Sequence, residues 1–327
     1  MTAPHVTPAH LEGRVMTTRA VLIESFDDAP HLADRALPEV DGDGVRIRVL
    51  ASSINAFDWK VAEGRFKEMF RHEFPVTIGR DYAGVVEQIG ADVTRVAPGD
   101  EVFGYFTGMT LGQGAFAEQI VVGQDDCFVP LPGGLSFRDA ACLPLCGVVA
   151  YRCVAAVNPE PGERHLVVGA TGGVGSFAIQ LLHARGAFVL ATGKPGDQDY
   201  LRGLGADEIV GYDIDVAGPL DGLVDTINYQ DAFMTLVQRL LAPGSRAASL
   251  HRSADPELLE PLGVTGTSIG SQPDRELLAR IGDDAAAGRL RVPVQREFLL
   301  EEAPAALFTH RDAHVQGKYA LAVADRD

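Results

Sequence analysis

The chain has 327 residues, of which 46% are hydrophobic and 22% charged, and its formal net charge is −17. This length predicts about two domains with a full hydrophobic core. The acidic balance argues against nucleic acid and anionic membrane as main partners, because both repel a negative surface. No apolar run reaches the roughly 18 residues needed to span a bilayer.

Residues 1–15 contain two prolines and lack the apolar stretch of a signal peptide, so they are predicted to form a disordered extension. From residue 16 to about 135, short alternating strands are separated by glycine- and proline-containing turns. This pattern predicts an antiparallel β domain that is partly barrel-like. Its clearest strands read VRIRVLAS, YAGVVEQIG, DEVFGYF and AEQIVV.

From about residue 138 the pattern changes to an alternation of buried strands and amphipathic helices, which predicts βαβ units and a parallel sheet. In chain order the segments are LVVGA, VGSFAIQLLHAR, AFVLAT, DQDYLRGLG, EIVGY, GLVDTI, AFMTLVQRLL and RAASL. After residue 270 a helix, RELLARIGDDAAAG, leads to RVPVQREFLL and KYALAV, whose pattern returns to that of the first domain. We therefore predict an α/β protein in which 16–137 and 271–327 form one domain and 138–270 form the other.

The stretch LVVGATGGVGS at 166–176 joins a predicted strand to a predicted helix. The strict fingerprint G-x-G-x-x-G is not met, because Ala170 stands where its first glycine belongs. A wider spacing, Gly169, Gly172 and Gly175, still allows a tight turn and a close approach of backbone N–H groups to a pyrophosphate. The candidate cofactor-binding residues here are Gly169, Ala170, Thr171, Gly172, Gly173, Val174 and Gly175.

The end of the next strand indicates which dinucleotide is bound. Thr192, Gly193 and Lys194 stand there, without an immediate carboxylate. A hydroxyl and a cation suit a 2′-phosphate and favour NADPH, whereas a carboxylate would suit the ribose of NADH. Asp197 and Asp199 lie further along and keep NADH open, and Lys194 is alternatively a solvated loop lysine.

The chain resembles the zinc-free medium-chain dehydrogenases/reductases, in the branch of quinone oxidoreductases and enone reductases. The resemblance implies a GroES-like, partly barrel-like catalytic domain interrupted by a Rossmann domain with a doubly wound parallel sheet. The motifs that carry it are SSINAFDWKVAEG, PVTIGRDYAGVVEQIG, VAPGDEVFGY, GAFAEQIVV, ACLPLCGVVAYR, GATGGVGS, LGADEIVGY and HVQGKYALAV.

The same resemblance bears on metal binding. Zinc-dependent relatives carry Cys where Asn55 stands and His-Glu where Arg80 and Asp81 stand, and their third ligand falls at or beside Cys146. A catalytic zinc needs about three protein ligands, so Cys146 alone makes no site, and we expect no metal. The four cysteines form no C-x-x-C pair, which favours reduced thiols and a cytoplasmic location.

The resemblance also implies site residues. Asn55 matches the asparagine that lies in the cleft of quinone reductases. By the same resemblance, Lys60 of the D-W-K motif would approach the nicotinamide ribose or the substrate oxygen, and Tyr82 would line the cleft. These three are the candidate catalytic residues, although Lys60 is alternatively a surface lysine. Further implied cofactor contacts are Tyr212, Asn228, Leu250 and Lys318.

Without a Lewis acid, acceptors with a conjugated electron sink are the accessible ones. We therefore expect NADPH-dependent hydride transfer to a quinone or to the C=C bond of an α,β-unsaturated carbonyl, by a protein that forms a homodimer. Two alternatives stay open: a trans-acting enoyl reductase of a biosynthetic pathway, and a non-catalytic NADPH-binding scaffold.

Overall fold

The computed structural model describes residues 16–324. The extension predicted at residues 1–15 lies outside the described residues, as do residues 325–327. In the part that is described, no helix is both long enough and apolar enough to cross a membrane.

The strands are β1 (Thr17–Ile23), β2 (His31–Ala36), β3 (Gly44–Ile54), β4 (Arg71–His72), β5 (Val76–Thr77), β6 (Asp81–Ile89), β7 (Glu101–Tyr105), β8 (Thr110–Leu111), β9 (Gln119–Gly123), β10 (Phe128–Pro130), β11 (Arg164–Val168), β12 (Phe188–Thr192), β13 (Glu208–Val210), β14 (Leu220–Asp225), β15 (Leu241–Ser249), β16 (Thr265–Ser268), β17 (Val294–Leu299) and β18 (Lys318–Ala322). The helices are α1 (Ala56–Ala62), α2 (Phe137–Ala141), α3 (Pro144–Val157), α4 (Gly173–His183), α5 (Gln198–Arg202), α6 (Gln230–Leu240), α7 (Pro256–Leu259), α8 (Arg275–Ala286) and α9 (Ala303–Asp312).

The first domain is built around strand β3. It pairs with β6, β9 and β18, and the sheet runs in the order β10-β7-β6-β3-β18-β17. A smaller sheet, β2-β1-β5, packs beside it. The side chains of β3 are buried or half-buried throughout, as expected of a strand with neighbours on every side. Because β17 and β18 join this sheet, the C-terminal segment completes the first domain.

The second domain holds a six-stranded sheet in which every neighbouring pair is parallel. Its order is β13-β12-β11-β14-β15-β16, which is 3-2-1-4-5-6 in the domain's own numbering. This is the doubly wound Rossmann order, so the predicted fold class is confirmed. The order reverses between β11 and β14, and ligands of such sheets bind at the carboxyl ends of the strands beside that point.

Helix α3 connects the two domains. Most of its residues are buried, because it packs against α4, α8 and β15. Its first turn brings Cys146 to the boundary between the domains, next to the end of β3.

Candidate active site in the cleft between the domains

A cleft of about 850 Å³ lies between the two domains. The glycine loop forms its floor, and α1, the end of α9 and residues 250–252 form its walls. In a chain of net charge −17, its described lining includes no Asp or Glu. The basic side chains of the lining are Lys60, Arg65, Arg252, Arg311 and Lys318. Arg65 and Arg311 pair with Glu63, and Lys318 lies near Asp81, so Lys60 and Arg252 are the basic side chains that the cleft chiefly offers to an anion.

The glycines of the loop are required for different reasons. Gly169 has φ +75°, a left-handed conformation that glycine adopts without strain. A Cβ on Gly173 would lie 2.7 Å from the Cys146 sulfur, and one on Gly175 would lie 2.4 Å from the Gly169 carbonyl oxygen. The close approach at Gly175 allows α4 to pack directly against the end of β11.

Helix α4 begins in the cleft with Gly172 as its N-cap. Its first backbone N–H groups and the positive end of its dipole suit a pyrophosphate, and the absence of side chains leaves room for one. The chemistry of this cradle therefore fits a dinucleotide. Of the predicted loop residues, those that line the cleft are Gly169, Thr171, Gly172, Gly173 and Val174.

Three of the residues predicted to bind the cofactor lie behind the glycine loop and not in the lining of the cleft. Ala170 and Gly175 are buried and do not line the cleft. Thr192 is fully buried, and its Oγ1 accepts a hydrogen bond from the backbone N–H of Gly169 at 3.0 Å. These three residues therefore support the loop, and their predicted contact with the cofactor stays a prediction.

At the end of β12 the side chain of Lys194 is exposed and Gly193 packs against Leu201. Asp197, the nearest carboxylate, accepts hydrogen bonds from the Lys194 backbone N–H at 2.6 Å and from Gln316 Nε2 at 2.7 Å. It also pairs with His314 Nε2 at 2.8 Å. Burial alone would raise the pKa of Asp197, but these partners hold it below its ordinary value.

Asn55 lies where β3 passes into α1 and lines the cleft. Its Nδ2 donates to Asp81 Oδ2 at 2.9 Å, and its Oδ1 accepts from Lys318 Nζ at 2.5 Å. Its backbone N–H donates to Asp58 Oδ2 at 2.7 Å, which completes the N-cap of α1.

Lys60 projects from α1 into the same cleft. Burial, and then the charge of Arg65, lower its pKa. His251, from the other domain, also lines the cleft, and burial, followed by the charge of Lys60, lowers its pKa. Two ring pairs line the cleft: Phe57 stacks on Phe66 with 4.9 Å between ring centroids, and His251 stacks on Tyr229 with 4.5 Å.

Comparison with known proteins identifies the family. "Alcohol dehydrogenase GroES-like domain" matches residues 41–133 and "Zinc-binding dehydrogenase" matches residues 204–321. The chain is 30% identical over 318 residues to YhfP of Bacillus subtilis (strain 168), a protein named as a candidate quinone oxidoreductase, with 89% of this chain and 94% of that one covered. The chain belongs to the quinone oxidoreductase branch of the medium-chain dehydrogenases/reductases.

Two further relatives agree. The 2-methylene-furan-3-one reductase of Solanum lycopersicum is 37% identical over 183 residues, which are 54% of this chain and 47% of that protein, so the match spans about half of each. A quinone oxidoreductase structure from Coxiella burnetii superposes with a TM-score of 0.86 at 26% identity, over 94% of this chain and 100% of that one. The protein is thus an oxidoreductase of a family that binds NAD(P)H.

Two of the residues implied by the resemblance lie outside the cleft. Tyr82, implied as a catalytic residue, does not line the cleft, because its side chain is fully buried in the first domain and packs against Phe106 with 5.6 Å between ring centroids. Asn228 is turned away from the lining, since its Nδ2 donates to Asp225 Oδ2 at 2.9 Å. The others, Tyr212, Leu250 and Lys318, do line the cleft.

The name of the second matching family implies zinc, but the residues at the positions of the relatives' zinc ligands, Asn55, Arg80 and Asp81, do not fit this metal. Arg80 stacks on Phe57 at 4.2 Å and donates to the Phe106 carbonyl at 2.7 Å, and burial lowers its pKa to about 10. Among residues 16–324 no group of three His, Cys, Asp or Glu side chains is placed to hold a metal. The donors that do converge beside Asn55 are Asp81 and Cys146, and the ammonium of Lys318 lies between them.

Proposed function

We propose that this protein is an NADPH-dependent reductase of quinones or of C=C bonds conjugated to a carbonyl, and that it works without zinc. The observation that carries the proposal is the convergence of the glycine loop, Asn55 and Lys60 on one cleft with an aromatic wall. The printed names of the Bacillus and tomato relatives support the two acceptor classes.

NADPH supplies a hydride when bound. The N-terminus of α4 would hold its pyrophosphate, and Lys194 would pair with its 2′-phosphate. The apolar rings of Phe57, Trp59 and Phe66 would hold a flat conjugated acceptor and exclude water. Lys60 Nζ would donate a hydrogen bond to the carbonyl or quinone oxygen, where negative charge develops during reduction.

The preference for NADPH rests on the end of β12. Lys194 is exposed there, and both oxygens of Asp197 already have partners within the protein. We expect Lys194→Ala to weaken NADPH binding about tenfold and to leave NADH binding unchanged, because only NADPH carries the 2′-phosphate. Fluorescence titration with both cofactors measures this, with the exposed Lys67→Ala as the matched control. Equal losses for NADH and NADPH would show that Lys194 does not recognise the 2′-phosphate.

Oxidation of NADPH in the presence of 1,4-benzoquinone, and separately of a simple enone, tests the function itself. We expect turnover with at least one of the two. Tight NADPH binding without oxidation against a broad panel of acceptors would instead support a non-catalytic scaffold. Turnover only with acyl chains on a carrier would support the trans-acting enoyl reductase.

A further inference from the structure

Lys318 is one of four lysines in the chain, and its side chain is 1% exposed. It begins β18 and passes beneath the glycine loop, where a Cβ on Gly173 would lie 2.8 Å from its Cδ. The preceding residue, Gly317, donates its backbone N–H to the Thr171 carbonyl at 2.7 Å. The lysine is therefore fixed to the cofactor loop at its base and reaches into the first domain with its tip.

The ammonium of Lys318 has an acceptor for each of its three N–H groups. These are Asn55 Oδ1 at 2.5 Å, the Ile54 carbonyl at 3.2 Å and Cys146 Sγ at 3.6 Å. Because all three N–H groups have acceptors within the protein, the cofactor contact that the resemblance implies for Lys318 would have to displace one of these acceptors.

Asp81 supplies the counter-charge, with Oδ2 at 3.8 Å from Lys318 Nζ. It is fully buried, and it accepts hydrogen bonds from Ser53 Oγ, Asn55 Nδ2 and the Leu145 N–H at 2.9–3.0 Å. A buried ion pair is stable only when its remaining hydrogen-bonding capacity is satisfied in this way. Burial also raises the pKa of the Cys146 thiol, so the sulfur is neutral.

A carboxylate from β6, a thiol from α3 and an amide oxygen from the end of β3 thus converge from three elements on one point. Carboxylate and amide oxygens, and a thiol that has lost its proton, are donors that a divalent cation takes in proteins. We infer that the Lys318 ammonium occupies a built cation site, so that a cation attached to the chain stands where a metal ion would bind.

The ammonium also makes Lys318 a positioning residue for Asn55. If the carboxamide of Asn55 were flipped, Nδ2 would face the ammonium and the Cys146 thiol, while Oδ1 would face the Asp81 carboxylate. Both contacts would be repulsive, so the orientation of Asn55 in the cleft is fixed by its neighbours.

Cobalt(II) binding to two variants tests the inference. Asn55→Cys adds a second thiol to the site, and Asn55→Cys/Lys318→Ala also removes the ammonium. We expect tetrahedral cobalt absorption and thiolate charge-transfer bands only in the double variant, with Asn55→Cys/Lys67→Ala as the matched control without bands. Equal cobalt binding by Asn55→Cys alone, or no binding by the folded double variant, would overturn the inference.

A measurement on the unaltered protein does not depend on whether those variants fold. With ¹⁵N-labelled lysine, the four Nζ groups are observed by nuclear magnetic resonance, and Lys318→Arg assigns one of them. We expect one ammonium signal protected from hydrogen exchange with water, while Lys60, Lys67 and Lys194 exchange fast. If the Lys318 signal exchanges as fast as the others, the ammonium is not enclosed in the site and the inference is wrong.

Discussion

Asp58 is a buried carboxyl at the start of α1 whose second oxygen, Oδ1, has no hydrogen-bond partner among the described residues. Burial, followed by the charge of Asp81 among the raising influences, raises its pKa to about 7 from the ordinary value of 3.8. The folded protein therefore binds a proton at this position over a pH range in which the unfolded chain does not.

The consequence is a pH-dependent stability. The contribution of Asp58 is fully present below about pH 4 and is lost as the pH rises through about 7, with a slope of up to about 1.4 kcal/mol per pH unit. We expect Asp58→Asn, which is neutral at every pH, to remove this slope. Urea unfolding of both proteins from about pH 5 to about pH 8 measures the difference, and parallel curves would contradict the raised pKa.

Lys60 is the candidate hydrogen-bond donor to the substrate oxygen in the cleft. Removal of a hydrogen-bond donor to a developing negative charge costs about 100-fold in kcat in well-shielded sites. Because Lys60 is only partly buried, we expect Lys60→Met to lower kcat/KM for an enone about tenfold or more. The exposed Lys67→Met serves as the control, and unchanged kcat and KM in Lys60→Met would remove Lys60 from the site.

Helix α4 depends on a close contact with the end of β11. A Cβ at position 175 would lie 2.4 Å from the Gly169 oxygen and 2.6 Å from the Ala170 Cα, and both are backbone atoms that cannot move away cheaply. We expect Gly175→Ala to cost about 1–3 kcal/mol of stability and to weaken NADPH binding. Gly133→Ala, where a Cβ would meet nothing within 4 Å, is the matched control. Equal thermal stability of the two variants would contradict this account of the loop.

The sequence predicts the strands and helices of the parallel sheet well, because buried strands and one-sided helices have distinct periods. LVVGA begins within β11 and runs into the glycine loop, and AFVLAT contains β12. No such period marks α3, since its residues are buried on nearly all sides, so the sequence pattern predicts no helix there.

The residues of the site were predicted less completely, for reasons of side-chain direction. Asp81 and Tyr82 are neighbours in β6, so they point to opposite faces of the sheet. Because Asp81 turns toward Asn55, Tyr82 must enter the core of the first domain, and this alternation could have excluded it from the cleft. No local signal could have shown that Lys318 reaches Asn55, because that contact depends on the pairing of β18 with β3.

The chain returns to the first sheet after it has formed the second domain. The parallel sheet ends at β13 on one side and at β16 on the other, and neither edge pairs with a further described strand. Most of β16 is exposed. An exposed strand edge is a template for pairing with another chain. We therefore propose a homodimer formed through β16, in line with the resemblance.

Light scattering tests the dimer. We expect a mass of twice 34.8 kDa for the protein and a shift toward 34.8 kDa for Thr267→Lys, which places charges at the edge of β16. Glu208→Lys, on the opposite edge, is the control and is expected to stay dimeric. A monomeric unaltered protein, or dissociation caused only by Glu208→Lys, would contradict pairing through β16.

Hydride transfer across the cleft is the central claim, and isotope transfer tests it most directly. The protein is incubated with an enone and with NADPH that carries deuterium at one or the other C4 position, and the product is analysed by mass spectrometry and nuclear magnetic resonance. We predict that one of the two labelled cofactors delivers deuterium to the β-carbon of the enone. Reduced product without label from either cofactor would contradict direct transfer, and the proposed role of the cleft with it.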